Sequence, residues 1–266
     1  MMRSMFSGVS GLRVHQTRMD VIGNNIANVN TVGFKSSRVT FQDVFNQTIK
    51  TGSAPGVLGG TNPQQIGLGA AVGAIDVLHT PGGIERTDNP LDLAINGDGF
   101  FVVNDGTATY YTRAGNFHLD AAGNLVTPDG MYVQSTAGGN ITIDPTLYVS
   151  VVIDKTGQIS GIQADGTVVP LDIVGLAKFV NPGGLEKIGQ NMYRETISSG
   201  PPAGAGVVQP GQDGTGYLTP GALEMSNVDL SRELTDMIIT ERGFQANSRV
   251  ITTSDEMLQE LVNLKR

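Results

Sequence analysis

Two apolar stripes with seven-residue spacing, one at each end of the chain, most constrain how it can fold. The first stripe, within residues 5–29, has Met5, Leu12, Met19 and Ile26 seven residues apart, and Val9 occupies the second seam of the heptad. The second, within residues 229–264, has Leu230, Met237, Phe244, Ile251 and Leu258 seven residues apart, and Leu234 and Val262 occupy the second seam. Apolar residues at this spacing line one face of an α-helix. The sequence therefore predicts a long helix at each end, about 37 Å and about 54 Å in length.

The chain between the two stripes has the pattern of β-structure. From residue 74 to residue 219, short apolar runs are separated by Asp-Gly pairs that begin at Asp105, Asp129, Asp165 and Asp213. Such pairs are typical of tight turns between antiparallel strands. They could also belong to calcium loops, but the alternating acid spacing of an EF-hand is missing. Residues 34–73 are polar and rich in glycine, and they predict an extended, irregular connector.

These signals together predict an α+β fold. Residues 1–33 and 225–266 are expected to be helical, residues 34–73 to connect, and residues 74–224 to form an all-β domain of hairpins. The helices could pack on the β core of their own subunit, or they could pair with a helical partner. Residues 1–38 carry a net charge of +4 and residues 224–266 a net charge of −3. This difference favours helix pairing, within a subunit or between subunits.

The residues that most enzymes need are missing or scattered. The chain has no cysteine, which excludes a disulfide framework, a Cys-ligated metal and a Cys nucleophile. Its three histidines, His15, His79 and His118, are far apart in sequence and form no zinc motif. His118 and Asp120 would share one face of a strand, but a lone pair of this kind is usually solvated. We therefore expect no catalytic activity, no cofactor and no metal.

Charge and hydropathy exclude two further classes. The 25 acidic and 17 basic residues give a net charge of −8, which disfavours binding to nucleic acid. No apolar run approaches the roughly 18 residues needed to cross a bilayer, so no membrane insertion is expected. The first residues also lack the pattern of a cleavable signal peptide, because Arg13 and His15 interrupt the apolar stretch.

Several motifs resemble the bacterial flagellar axial proteins, the family of rod, hook and hook-associated proteins. The first motif covers residues 24–35 and includes Asn24, Asn25, Asn28, Gly33 and Phe34. The central motifs cover residues 92–103, 111–117 and 184–193. The last motif runs from residue 226 to residue 264 and includes Asn227 and Asn247. The motifs span nearly the whole chain in the order of the family.

The resemblance implies a structural protein that assembles with itself into a helical polymer. Its terminal helices would form a discontinuous inner domain of coiled coils, and its β domain would form an outer layer. The apolar stripes would then be the subunit interface. We accordingly assign that interface to Met5, Val9, Leu12, Met19, Ile26, Leu230, Leu234, Met237, Phe244, Ile251, Leu258 and Val262.

Within the family, the resemblance points first to a short-form subunit of the hook, with the distal rod subunit as the alternative. It implies export through the flagellar type III channel without a cleaved signal peptide, and a final place in the extracellular part of the flagellum. The implied partners are neighbouring rod, hook-cap and hook–filament junction proteins and the export machinery. A hypothesis from another class is a secreted β-domain binding module with helical arms.

Overall fold

The computed structural model describes residues 2–54, 59–204 and 206–264, which form two compact units. The first unit combines residues 1–27, 37–77 and 229–266, and the second combines residues 28–36 and 78–228. Helix α1 (Met2–Ala27) and helix α2 (Leu230–Leu264) belong to the first unit. The second unit is mostly β, so the predicted α+β class is confirmed.

The two helices begin and end close to the predicted positions. Helix α1 extends over 26 residues and α2 over 35 residues. Asp229 caps α2, because its carboxylate accepts hydrogen bonds from the backbone N–H groups of Ser231 (3.0 Å) and Arg232 (3.3 Å). The helices run antiparallel, since Ser4 lies against Ser254 at one end of the pair and Asn25 lies against Glu233 at the other.

A β-ribbon completes the first unit. Its strands are β1 (Ser37–Asp43), β2 (Asn46–Lys50), β3 (Gln64–Gly67) and β4 (Ala70–Val77). Strand β1 pairs with β4, and β2 pairs with β3, both antiparallel. Backbone hydrogen bonds from Val44 to Gly69 and from Leu68 to Phe45 join the two pairs.

The irregular connector predicted for residues 34–73 was therefore wrong for about half of its length. About half of this segment lies in paired strands, and residues 55–58 lie outside the described residues. The strands were missed because β2 and β3 are exposed throughout and show no apolar alternation. The β structure also starts earlier than residue 74, and residues 74–77 belong to the helical unit.

The second unit contains fifteen strands among the described residues, numbered β5 to β19. They are β5 (Ile84–Arg86), β6 (Leu93–Asn96), β7 (Phe100–Asn104), β8 (Thr109–Thr112), β9 (His118–Leu119), β10 (Leu125–Val126), β11 (Tyr132–Val133), β12 (Tyr148–Ile153), β13 (Gln158–Gln163), β14 (Val168–Ile173), β15 (Leu176–Ala177), β16 (Glu186–Gly189), β17 (Met192–Arg194), β18 (Tyr217–Pro220) and β19 (Ala222–Glu224). A short 3₁₀ helix covers Pro182–Gly184.

An eight-stranded sheet forms the centre of this unit, in the order β16-β17-β8-β7-β11-β10-β9, with β15 added beside β7. Strands β12, β13 and β14 make a separate meander, and β6 and β5 pair with β18 and β19. Predicted turns join β7 to β8, β10 to β11 and β13 to β14, with Gly106, Gly130 and Gly166 at positive φ. The core is built from fully buried residues such as Phe101 and Leu125.

Candidate assembly faces and the buried ionic cluster

The seam where α1 meets α2 is built mainly from glycine and polar residues. On α1 it includes Ser4, Gly8, Gly11, His15 and Arg18, at the three- and four-residue spacing of a helix face. The facing residues of α2 include Asp236, Gly243, Asn247, Ile251 and Ser254. This seam is not the predicted apolar stripe of α1, which lies on another face of the helix.

Two glycines let the helices approach closely. A β-carbon at Gly11 would lie 2.6 Å from the side-chain nitrogen of Asn247, and one at Gly243 would lie 2.6 Å from a carbon of the His15 ring. Side chains on each helix therefore fill the space that a glycine leaves on the other. Burial, and then the charge of Arg18, lower the pKa of His15 below its ordinary value.

Two polar contacts extend the seam toward the other end of the helix pair. Arg18 donates to Asp236 over 2.9 Å, and Asn25 donates to Glu233 over 3.2 Å. Desolvation raises the pKa of Glu233, although the hydrogen bond from Asn25 opposes this shift. These contacts fix the alignment of the two helices, because each polar group needs its partner.

Within one chain, seven of the twelve predicted interface residues are half-buried and five are exposed. On α1, Met5, Leu12, Met19 and Ile26 are half-buried and Val9 is 38% exposed. On α2, Met237, Ile251 and Leu258 are half-buried, and Ile251 is the residue of this group that faces Gly8 in the seam. The exposed members are Leu230, Leu234, Phe244 and Val262.

Helix α2 carries further exposed apolar side chains that the stripe did not include. They are Ile238, Ile239, Val250, Met257, Leu261 and Leu264. Apolar patches of this extent are characteristic of surfaces that bind another protein. The geometry of one chain therefore leaves both helices with faces suited to further packing.

Asparagines of the family motifs make defined contacts. Asn25 is buried, donates to the carbonyl of Ser37 over 2.8 Å and accepts from its N–H over 3.0 Å, which joins the end of α1 to the start of β1. Asn28 accepts a hydrogen bond from Thr31, whereas Asn24 is exposed. Asn247 lies in the seam against Gly11.

Gly33, Phe34 and Asn227 belong to the second unit. Gly33 has a φ of 69°, and a β-carbon there would lie 2.6 Å from the backbone nitrogen of Ala114, so only glycine fits. Phe34 is buried, with the Lys187 ammonium 4.8 Å from its ring centre. Asn227 accepts from the N–H of Ser36 over 2.8 Å and donates to the carbonyl of Leu78 over 2.8 Å.

A buried ionic cluster joins three distant parts of the second unit. Glu224 accepts from the Lys35 ammonium over 2.5 Å and from the Arg113 guanidinium over 3.2 Å. Lys35 also donates to the carbonyl of Thr80, and Gly82 donates its N–H to Glu224. The three charged side chains are at most 3% exposed. Removing the carboxylate would leave two buried cations without a counter-charge.

Burial changes the pKa values of the two cations in this cluster. It lowers the pKa values of Lys35 and Arg113, and Glu224 partly restores both. His79 lies beside the cluster, with its ring 5.6 Å from Phe100 and 5.4 Å from Tyr193 between centres. Burial, followed by the charges of Lys35, Lys187 and Arg113, lowers the pKa of His79 to about 4. The imidazole is therefore neutral at pH 7.

Sequence reasoning did not find this cluster. Lys35 and Glu224 are 189 positions apart, and nothing in the local pattern links them. The available signal was Glu224 itself, a carboxylate between Leu223 and Met225 in a short apolar run. An acidic residue inside such a run indicates a buried charge that needs a partner.

The described ranges 2–54, 59–204 and 206–264 contain no group of three or more histidine, cysteine or acidic side chains able to hold a metal. Among the same residues, neither α1 nor α2 is apolar enough to span a membrane. His118 is exposed on β9.

Family models match three parts of the chain. A model described as "Flagella basal body rod protein" matches residues 5–35, and one for the "Flagellar hook protein FlgE/F/G D1 domain" matches residues 94–161. A third, "Flagellar basal body rod FlgEFG protein C-terminal", matches residues 219–264. The third match includes all of α2, and the first covers most of α1.

Full-length relatives agree with these matches. The chain is 55% identical to the flagellar basal-body rod protein FlgG of Bacillus subtilis, with 100% of each chain covered. It is 40% identical to FlgG of Caulobacter vibrioides, covering 99% of this chain and 100% of the relative. It is 31% identical to the flagellar hook protein FlgE of Borreliella burgdorferi, again with 100% of each covered. The chain therefore belongs to the flagellar rod and hook protein family.

Within this family, the rod branch fits better than the hook branch that the resemblance favoured first. The alignment with the Bacillus rod protein spans 267 residues, nearly the length of this chain, at the higher identity. The alignment with the Borreliella hook protein extends over 444 residues, because that protein contains segments with no counterpart here. The two branches share the same sequence motifs, so the motifs alone do not reveal this difference in length.

Proposed function

We propose that this chain is the structural subunit of the distal flagellar rod and that it assembles with itself into a stiff tube. The observation that carries this proposal is the 55% identity to a basal-body rod protein over the full length of both chains. The exposed apolar faces of α1 and α2 support it, because a subunit that stayed monomeric would leave them in water.

In the assembled tube, the paired helices would form an inner coiled-coil wall and the β unit an outer layer. Each subunit would use different surfaces toward successive neighbours, which produces an open helical polymer instead of a closed ring. The proposed role is mechanical, with no catalytic step and no cofactor. The neighbours would be other rod and hook proteins, reached after export through the flagellar type III channel without a cleaved signal peptide.

Electron microscopy of the concentrated, purified chain tests the proposal. We expect straight, stiff tubes, because the relatives of matching length are rod proteins. Curved, flexible tubes would favour the hook alternative. A chain that stays monomeric at every concentration would contradict both and favour a binding module with helical arms.

A further inference from the structure

The last two turns of α2 face a different environment from the rest of the helix. The α2 residues that pack on α1 include Gly243, Asn247, Ile251 and Ser254, and the same spacing continues to Leu258 and Leu261. Ser254 already lies opposite Ser4. Leu258 and Leu261 lie about 6 Å and about 10 Å further along α2, beyond the α1 residues described as packing on it.

This segment, residues 257–264, is named here the α2 overhang. Beyond Ser254, Leu258 and Leu261 follow at seam spacing, so the overhang continues the seam with apolar residues. Leu261 is 51% exposed, and Met257, Val262 and Leu264 are exposed as well. Acidic side chains at Asp255, Glu256 and Glu260 flank this apolar surface. The overhang is thus an apolar helix end with a negative border.

A largely apolar groove, with the basic side chain of Arg13 in its lining, lies beside the other helix. It has a volume of about 500 Å³ and lies between α1 and β4. Its lining includes Phe6, Val9, Arg13 and Val14 of α1 and Ala70 and Val72 of β4. Phe6 is 67% exposed, so an apolar side chain at the mouth of the groove is left in water. This surface is named the α1–β4 groove.

We propose that the α2 overhang of one copy docks into the α1–β4 groove of a second copy. The inference rests on the proposed function, because it assigns the contact that joins successive subunits. Apolar side chains on the overhang would fill an apolar groove. The charges agree as well, since Arg13 lines the groove, whereas Asp255, Glu256 and Glu260 border the overhang.

The geometry of the helix pair prevents the overhang from filling the groove of its own chain. Phe6 lies between Ser4 and Gly8, which face Ser254 and Ile251. Leu261 is a further ten residues beyond Ile251, or about 15 Å along the helix. The overhang and the groove are also different surfaces, so the contact is heterologous and repeats from copy to copy.

Engineered disulfides can test this contact cleanly, because the chain has no cysteine of its own. The test variant is Phe6→Cys with Leu261→Cys in the full chain, oxidised under assembly conditions. A disulfide needs Cα atoms within about 7 Å, so a bond within one chain is excluded by the helix pairing. We expect a ladder of disulfide-linked dimers, trimers and longer species in a denaturing gel.

The matched control is Leu12→Cys with Leu261→Cys, since Leu12 lies on α1 about 120° around the helix from Phe6 and outside the groove. We expect at least tenfold less cross-linked product from this pair. A second control, Ser4→Cys with Ser254→Cys, should close within one chain, because the two hydroxyl oxygens are 3.4 Å apart.

The outcomes separate this inference from the proposed function. Tubes without a ladder from the Phe6 and Leu261 pair would overturn the docking contact and leave the rod assignment standing. Equal or stronger cross-linking of the Leu12 pair would place the overhang on the predicted α1 stripe and would also overturn it. A chain that forms neither tubes nor cross-links would contradict both proposals.

Discussion

Gly243 of α2 lies directly against the imidazole of His15 on α1, so close that a β-carbon at residue 243 would come within 2.6 Å of the ring. The same helix pair contains Gly23, around which a β-carbon would meet nothing within 4 Å. The two positions therefore separate the intrinsic effect of a helical glycine from its role in packing.

We predict that Gly243→Ala destabilises the helix pair and that Gly23→Ala stabilises it. Alanine favours a helix over glycine by about 1 kcal/mol, which is the gain expected at residue 23. At residue 243 the displaced His15 ring should outweigh that gain, for a net loss of about 1–2 kcal/mol. Thermal unfolding followed by the helical circular-dichroism signal measures both. If the two variants are stabilised equally, the close approach of residue 243 to His15 is not required for the stability of the helix pair.

The seven-residue stripes predicted both helices well, because helix periodicity is a local property that survives without tertiary information. They did not predict the seam. The seam is formed by Gly8, Gly11 and Gly243 together with His15 and Asn247, and such residues give no apolar signal. The apolar residues that gave the signal are half-buried or exposed in a single chain.

The ionic cluster could not be predicted for a different reason. Its charged residues, Lys35, Arg113 and Glu224, are far apart in sequence and meet only in the folded second unit. Likewise, β2 and β3 were missed because both are exposed throughout and lack the alternation that marks a half-buried strand. In contrast, three of the four Asp-Gly pairs lie in hairpin turns as predicted, since such pairs encode the turn conformation locally, whereas the pair at Asp213 precedes β18, which pairs with β6.

Glu224→Gln should destabilise the second unit by about 3–5 kcal/mol, because it leaves Lys35 and Arg113 buried without a counter-charge. The control is Glu186→Gln, which removes an exposed pair with Arg194 and should cost less than about 1 kcal/mol. All six tyrosines of the chain lie in the second unit, so urea unfolding followed by tyrosine fluorescence reports on it. Similar losses in the two variants would contradict a structural role for the cluster.

Acid should destabilise the second unit through His79. Its pKa is lowered to about 4 from an ordinary 6.5, so the unfolded chain binds more protons between these values. The free energy of unfolding should thus be highest above pH 6.5 and should decrease by up to about 3 kcal/mol toward pH 4. His79→Phe preserves a ring between Phe100 and Tyr193 and should flatten this dependence. If wild type and variant have parallel profiles, His79 is not the group responsible.

Phe244→Asp should abolish polymerisation without affecting the second unit. Phe244 is 37% exposed in the single chain, and a charge there would be buried in the interface between subunits. A loss of roughly 3 kcal/mol per contact would raise the critical concentration about a hundredfold, measured by sedimentation. The control is Ala246→Asp, which adds the same charge at an exposed position off the stripe. Normal assembly of the Phe244 variant would exclude this face from the interface.

The first unit is assembled from both ends of the sequence, with residues 28–36 and 78–228 belonging elsewhere. A ribosome therefore completes the whole β unit before α2 starts at Leu230. At about 5–20 residues per second, α2 is synthesised roughly 10–40 s after α1. A polypeptide that stops before Leu230 contains the whole β unit but never offers a paired set of helices. The split architecture thus acts as a check on completeness, since truncated translation products lack the surface by which they could enter a growing structure.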